Sequence, residues 1–194
     1  MKNLLIIFFV LGALYLFTNY SKNKNYTKNN LLFEGNKEII SKILIQKDIN
    51  AIELLKGKTY WEISGNDSLI VKQNRIDDLF DKVLDVRVGT IVSKNPDKWM
   101  VYSVDDSLGT HLALINNNDE TIAYYVFGRS KSDYSHNNVR RRGKNDSKEI
   151  IDYVYRTNKS FIHHLNTQES FWGEKPKDPE PNDSLSAIID TTEA

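Results

Sequence analysis

Two adjacent carboxylates, Asp105 and Asp106, precede a histidine, His111, in the middle of the chain. Such donors bind divalent cations, and one of two paired carboxylates can act as a base when its neighbour raises its pKa. The segment lacks the alternating oxygen donors and the distant glutamate of a calcium-binding loop. A turn is therefore favoured, in which aspartate bonds nearby backbone and Gly109 takes a geometry that other residues avoid. His111 is then a strand residue, and a ligand site is the alternative.

Three consecutive arginines, Arg140, Arg141 and Arg142, form a second candidate site. Guanidinium groups bind phosphate or carboxylate with two parallel hydrogen bonds. In a strand, however, Arg140 and Arg142 point to one face and Arg141 to the other. This split favours a solvated edge strand that resists edge-to-edge pairing, and capture of an anionic group is the alternative.

Other reactive sets are missing from the sequence. The chain has no cysteine, which excludes disulfides, thiolate metal sites and cysteine nucleophiles. The adjacent His163 and His164 diverge by about 100° if they lie on a helix, so they are poorly placed to share one metal. The formal net charge is zero, which gives no argument for nucleic acid as a partner. We therefore expect no catalytic residue, no cofactor, no bound metal and no enzymatic activity.

The hydrophobic pattern of the middle predicts many short strands around one good helix. The helix covers NRIDDLFDKVLDVRV, where Asn74 is the expected N-cap and apolar residues recur with helical spacing. A terminal helix is expected from Phe161 to about Trp172. The predicted strands lie at residues 43–45, 52–55, 59–63, 87–92, 111–115, 121–127, 139–142 and 149–154.

The two ends of the chain differ from the middle. Within residues 1–21, the segment Leu4–Phe17 is almost wholly apolar and residues 3–21 carry no charge, a length that can just span a membrane, so this region is predicted to be an uncleaved signal-anchor helix. Residues 22–36 are expected to form a polar tether, and residues 37–173 the folded domain. Residues 174–194 form an acidic, proline-containing tail that is predicted to be disordered. The predicted fold class is α+β: an antiparallel-rich sheet of short strands with one main amphipathic helix and a C-terminal helix, preceded by a transmembrane helix.

Two stretches of the middle, VLDVRVGTIVSKNPDKWMVYSVDDSLGTHLALI and YVFGRSKSDYSHNNVRRRG, resemble the bacterial domain-of-unknown-function family 4340. The closing FIHHLNTQESFWGEK is similar to the end of the family pattern, although Gly173 stands where the family has arginine. The resemblance covers about residues 40–175. The matching positions are Val83–Val88, Val92–Asn95, Tyr102–Thr110 with Leu112 and Leu114, Val126–Gly128 and Val139–Gly143.

The resemblance implies a membrane-anchored, extracytoplasmic α+β protein of bacteria. Some relatives are associated with ABC-transport and gliding-motility components; other relatives contain tandem copies, from which this chain departs. No catalytic residue is carried over. The charges that flank the anchor do not decide its orientation, so the resemblance alone favours a periplasmic domain on a single-pass anchor. We expect a non-enzymatic interaction or transport-accessory module with an envelope protein partner, such as an ABC-transport complex. The alternative is a metal- or anion-binding domain, or an enzyme, that uses the Asp105/Asp106 loop or the Arg140–Arg142 cluster.

Overall fold

An antiparallel sheet organises the chain. The computed structural model describes residues 11–16, 31–130, 133–144 and 150–176. Within them, eight strands pair in the order β3-β2-β1-β6-β7-β8-β9-β5, and β4 pairs separately with β10. The strands are β1 (Ile40–Lys47), β2 (Asn50–Lys56), β3 (Trp61–Ile63), β4 (Ile70–Val71), β5 (Val88–Ser93), β6 (Thr110–Asn116), β7 (Thr121–Arg129), β8 (Asn137–Lys144), β9 (Ile150–Thr157) and β10 (Gly173–Glu174).

Two hairpins join strands that the sequence predicts. β1 and β2 pair across a turn in which Asp48 takes a left-handed φ of 57°. β6 and β7 pair across a turn held by Asn116, whose Oδ1 accepts from the backbone N–H groups of Asn118 and Glu120. Asparagine and aspartate tolerate such turns because their short side chains bond nearby backbone. The antiparallel, sheet-rich α+β class is therefore confirmed.

The main helix packs its apolar stripe against the sheet, as its spacing predicts. It consists of α1 (Gln73–Asp78) and a π-helical turn (Leu79–Leu84) that continues it. The predicted N-cap is wrong: the cap position lies two residues earlier, the helix begins at Gln73, and Asn74 lies inside it. The residue in the cap position, Lys72, instead donates its backbone N–H to the carbonyl of Trp172 at 2.7 Å. The buried members of the stripe are Ile76, Leu79, Val83 and Leu84.

The predicted terminal helix is replaced by two short pieces. A 3-10 turn (Ile162–His164) and a four-residue helix, α2 (Glu169–Trp172), are separated by non-helical backbone. Tertiary hydrogen bonds hold both pieces in place. The side chain of Asn137 accepts from two backbone N–H groups where the turn begins, and Trp172 donates its indole N–H to the carbonyl of Asn166 at 2.7 Å.

The folded part begins earlier than the sequence predicts. Leu32 and Phe33, placed in the tether by the sequence, are buried in the main core, and Leu32 donates its N–H to the carbonyl of Val86 at 2.8 Å. Residues 11–16 are helical, and the described residues contain no helix long and apolar enough to cross a membrane. The rest of the predicted anchor, most of the tether and the tail from residue 177 lie outside the described residues.

Candidate functional site

The loop between β5 and β6, residues 94–109, crosses one face of the sheet and is called here the Trp99 loop. Its first turn forms because Pro96 restricts Asn95 to extended backbone, and the Asn95 side chain accepts the N–H of Asp97 at 2.9 Å. Its inner side buries Val104 against the sheet, with Trp99 packed alongside. The loop is thus a folded layer with its own small core, formed by the buried residues Val104, Val126 and Val154.

Asp105 is a turn residue. Its Oδ1 accepts hydrogen bonds from the hydroxyl of Ser107 at 2.6 Å, and from the backbone N–H groups of Ser107 and Leu108 at 3.0 Å each. Burial alone would raise the pKa of Asp105, but these donated hydrogen bonds outweigh it and hold the pKa below its ordinary value. The carboxylate therefore stabilises the bend in its charged form.

Asp106 faces a different partner from Asp105. Its Oδ1 accepts from Nη2 of Arg140 at 2.6 Å, and the Arg140 side chain is only 8% exposed whereas that of Asp106 is 82% exposed. The guanidinium also lies over the ring of Trp99, 4.1 Å from its centroid, and 3.9 Å from the carboxylate of Asp152. A buried guanidinium requires a partner charge, and its planar face stacks well on aromatic rings. Asp106 and Arg140, which the sequence placed in two separate candidate sites, thus contact each other, and this contact ties the Trp99 loop to β8.

The edge-strand interpretation of the arginines is wrong, because β8 lies inside the sheet between β7 and β9. Arg140 and Arg141 do point to opposite faces. Arg141 donates to the carbonyl of Leu31 at 3.1 Å, next to Tyr125, whose hydroxyl donates to the carbonyl of Leu32 at 2.7 Å. Burial raises the pKa of Tyr125 to about 12. The backbone of Arg142 pairs with that of Asp152, and its side chain lies outside the described part of the chain.

Gly109 and Gly128 let the Trp99 loop lie close to the sheet. The sequence assigned Gly109 an unusual backbone geometry, but positive φ among the described glycines occurs at Gly65. Space is the actual reason: a Cβ on Gly109 would overlap the side chain of Val126 and lie 2.7 Å from the Asp105 carbonyl oxygen. A Cβ on Gly128 would overlap the carbonyl oxygen of Tyr102.

His111 has both ring nitrogens engaged. Nδ1 lies 2.6 Å from the hydroxyl of Tyr124, and Nε2 lies 3.2 Å from the backbone carbonyl of Asp106. Asp105, Asp106 and His111 therefore have separate partners and do not converge on a common point. Across the described residues, no group of three His, Cys, Asp or Glu side chains is arranged to hold a metal ion.

The adjacent histidines near the C-terminus differ from the expected arrangement. His163 and His164 lie in a 3-10 turn, and their rings approach to 4.0 Å between centroids instead of diverging. His164 is buried, with Nδ1 3.5 Å from the carboxylate of Asp78, while His163 is exposed. Burial lowers the pKa of His164, which favours the neutral ring.

The outer side of the Trp99 loop exposes apolar side chains that the sequence reasoning missed. Met100 is 63% exposed, Val101 62% and Leu108 48%. The sequence feature that could have predicted them is the apolar run Trp-Met-Val within a polar segment that begins with KNPDK. In this run Trp99 faces inward, whereas Met100 and Val101 face water. Isolated exposed apolar residues are ordinary, but three on one loop held rigidly to the sheet suggest a contact surface.

Comparison with known proteins adds no relative: no protein-family model, no curated protein and no solved structure matches this chain.

Proposed function

We propose that this chain is a membrane-anchored, extracytoplasmic module of the bacterial envelope that binds a protein partner through the Trp99 loop and is not an enzyme. The observation that carries the proposal is the exposure of Met100, Val101 and Leu108 on a loop whose inner side is fixed to the sheet. The other parts of the proposal come from the sequence: the uncharged, largely apolar run of residues 3–21, the polar segment after it, and the resemblance to family 4340.

Rigidity makes the Trp99 loop suited to binding. Three contacts fix its backbone. Arg140 pairs with Asp106, and the Asn138 side chain donates to the Tyr102 carbonyl at 3.2 Å. The loop also approaches the sheet closely over Gly128. A loop that is already ordered loses little conformational entropy on binding, so its apolar side chains contribute more of their burial to affinity. Methionine also adapts its shape to a partner surface.

The anchor would bring this surface to the membrane. An uncharged run from residue 3 to residue 21 is within the range of about 17–25 residues that spans a bilayer. The partner we propose is an envelope protein, such as a component of an ABC-transport complex, in keeping with the family resemblance. The cargo of such a complex would be handled by the partner, and this chain would act as an accessory.

The alternative function, binding of a metal or anionic ligand by the Asp105/Asp106 loop or the Arg140–Arg142 cluster, has weaker support. The carboxylate of Asp105 holds its own turn, and the carboxylate of Asp106 is paired with Arg140. A ligand that used these groups would first have to displace those partners.

Site-specific crosslinking in cells that express the full chain tests the proposal. A photoreactive amino acid replaces Met100 in one variant and Ile49, which is 90% exposed on the β1–β2 turn, in a matched control. We expect position 100 to crosslink to one envelope protein, position 49 not to do so, and the added change Val101→Asp to remove the product. Crosslinks to lipid alone, or the same products from both positions, would overturn the proposal.

A further inference from the structure

A depression lies next to the start of β8, and its lining residues lie outside the Trp99 loop. It has a volume of about 180 Å³, and its lining includes Arg129, Tyr134, His136, Asn137 and His163. An adjoining depression of about 250 Å³ shares Arg129 and His163 and adds Lys47. The two depressions thus share part of their lining, and the proposed partner contact uses neither of them.

Asn137, one of the residues that line this depression, has a buried donor without an acceptor among the described residues. The residue is 0% exposed, and its Oδ1 accepts from the backbone N–H of Phe161 at 2.7 Å and of Ile162 at 3.2 Å. These two donors settle the orientation of the amide, because the other end must be the NH₂ group. Within the described part of the chain, Nδ2 has no hydrogen-bond partner. A buried donor left unpaired is destabilising, so an acceptor that enters the depression is favoured.

The charge around the depression favours a negatively charged acceptor. Arg129 and Lys47 are exposed cations, and the described residues that line the two depressions include no Asp or Glu. The nearby acid Asp133 is not among the lining residues, and its carboxylate lies 3.4 Å from Nε2 of His136. The other ring nitrogen of His136, Nδ1, is buried and has no partner among the described residues.

We propose that this depression binds the oxyanion group, a carboxylate or a phosphate, of a small ligand. Asn137 Nδ2 donates to one oxygen, and the Arg129 guanidinium supplies the opposite charge and further N–H donors. The exposed ring of Tyr134 forms a wall against which the rest of the ligand lies. The ligand site is thereby separate from the surface proposed for the protein partner, and either can be correct without the other.

Titrations of the full chain with inorganic phosphate, with acetate and with glycerol as a neutral probe test the proposal. Calorimetry measures affinity, and NMR shifts of the Tyr134 and Asn137 signals locate the binding. We expect one of the two anions to bind more tightly than the other, which identifies the group, and glycerol not to bind. Absence of anion binding, or equal binding of glycerol, would overturn the proposal.

Three variants decide whether the depression is responsible. Asn137→Asp keeps the acceptor for the two backbone N–H groups but removes the donor and adds a repelling charge, and Arg129→Gln removes the cation. Each should weaken anion binding at least about tenfold, whereas Arg87→Gln, a control on an exposed arginine elsewhere, should not. If Asn137→Asp fails to fold by circular dichroism, Arg129→Gln alone decides, since Arg129 is exposed. Unchanged affinity in Arg129→Gln contradicts the proposal.

Discussion

Arg140 and Asp106 are 34 residues apart in the chain, and their side chains meet at 2.6 Å. The pair is asymmetric, since the arginine is buried and the aspartate is exposed. The arginine is also stacked on Trp99, so one residue of β8 contacts the Trp99 loop at two points. The stability of the loop, and with it the proposed binding surface, depends on this contact.

Removing the arginine should cost more stability than removing the aspartate charge. Arg140→Ala loses the ion pair and the packing on Trp99, and we expect about 3 kcal/mol less free energy of unfolding. Asp106→Asn leaves the stacking intact and keeps Asp152 near the guanidinium, so about 1 kcal/mol is expected. Urea denaturation measures both, with Asp67→Asn at an exposed site as the control. Equal losses in the two variants would show that Arg140 does not pack as described.

Alanine at Gly128 should destabilise the protein although no hydrogen bond is removed. The added Cβ would overlap the Tyr102 carbonyl oxygen, so the Trp99 loop must move away from β7, at a cost of about 2–3 kcal/mol. Gly65→Ala is the control, since nothing lies near its Cβ position and only its φ of 77° opposes the change, at about 1 kcal/mol. Thermal unfolding compares the two. A larger loss at Gly65 than at Gly128 would contradict the packing described for the loop.

Stability should fall as the pH decreases through the range where histidine titrates. Burial, and next the charge of the neighbouring His163, lower the pKa of His164 in the folded protein, while Asp78 opposes this. The unfolded chain therefore binds a proton more readily than the folded one below about pH 6.5. This contribution to stability is complete above that pH and is lost as the pH falls toward the lowered pKa of the folded state.

Replacing His164 with glutamine tests this pH dependence. Urea unfolding at pH 5 and pH 7.5 should show a smaller difference between the two pH values in His164→Gln than in the parent chain. Three carboxylates also have a lowered pKa and stabilise the folded chain in their charged form: Asp78, Asp105 and Asp133. Their contribution to stability is lost near and below pH 3.8, outside the pH range of this experiment. His111→Gln is the control, and an unchanged difference in His164→Gln would exclude His164 as the titrating group.

The orientation of the proposed anchor can be measured directly because the chain has no cysteine. A single cysteine introduced at Asn118, on the exposed β6–β7 turn, should react in intact spheroplasts with a maleimide that does not cross membranes. A cysteine at Asn3, before the apolar run, should react only after the membrane is opened. The reverse pattern would place the domain in the cytoplasm, and reaction of both would indicate that the segment does not span.

Features that depend on neighbouring residues could be predicted from the sequence. Short-range chemistry explains the alternation of apolar residues in β1 and β6 and the apolar stripe of the main helix. It also explains the turn within each hairpin and the aspartate-rich bend at residue 105. Alternation and helical spacing report which side of an element is buried, and turn residues bond backbone two or three positions away. Neither signal depends on the rest of the fold.

Features that depend on which elements meet required the folded chain. The arginine run, predicted to lie on a solvated edge strand, lies inside the sheet because β7 and β9 pair with β8 on its two sides. Asp106 contacts Arg140, 34 residues away, because the Trp99 loop packs on the sheet. The side chain of Asn137 likewise accepts the backbone N–H of Phe161 from 24 residues away, where a short 3-10 turn replaces the predicted terminal helix. Tertiary hydrogen bonds and packing outweigh local propensities of a few tenths of a kcal/mol per residue. A pattern of residue types therefore identifies the elements of this protein, whereas long-range contacts determine which of its charged residues become partners.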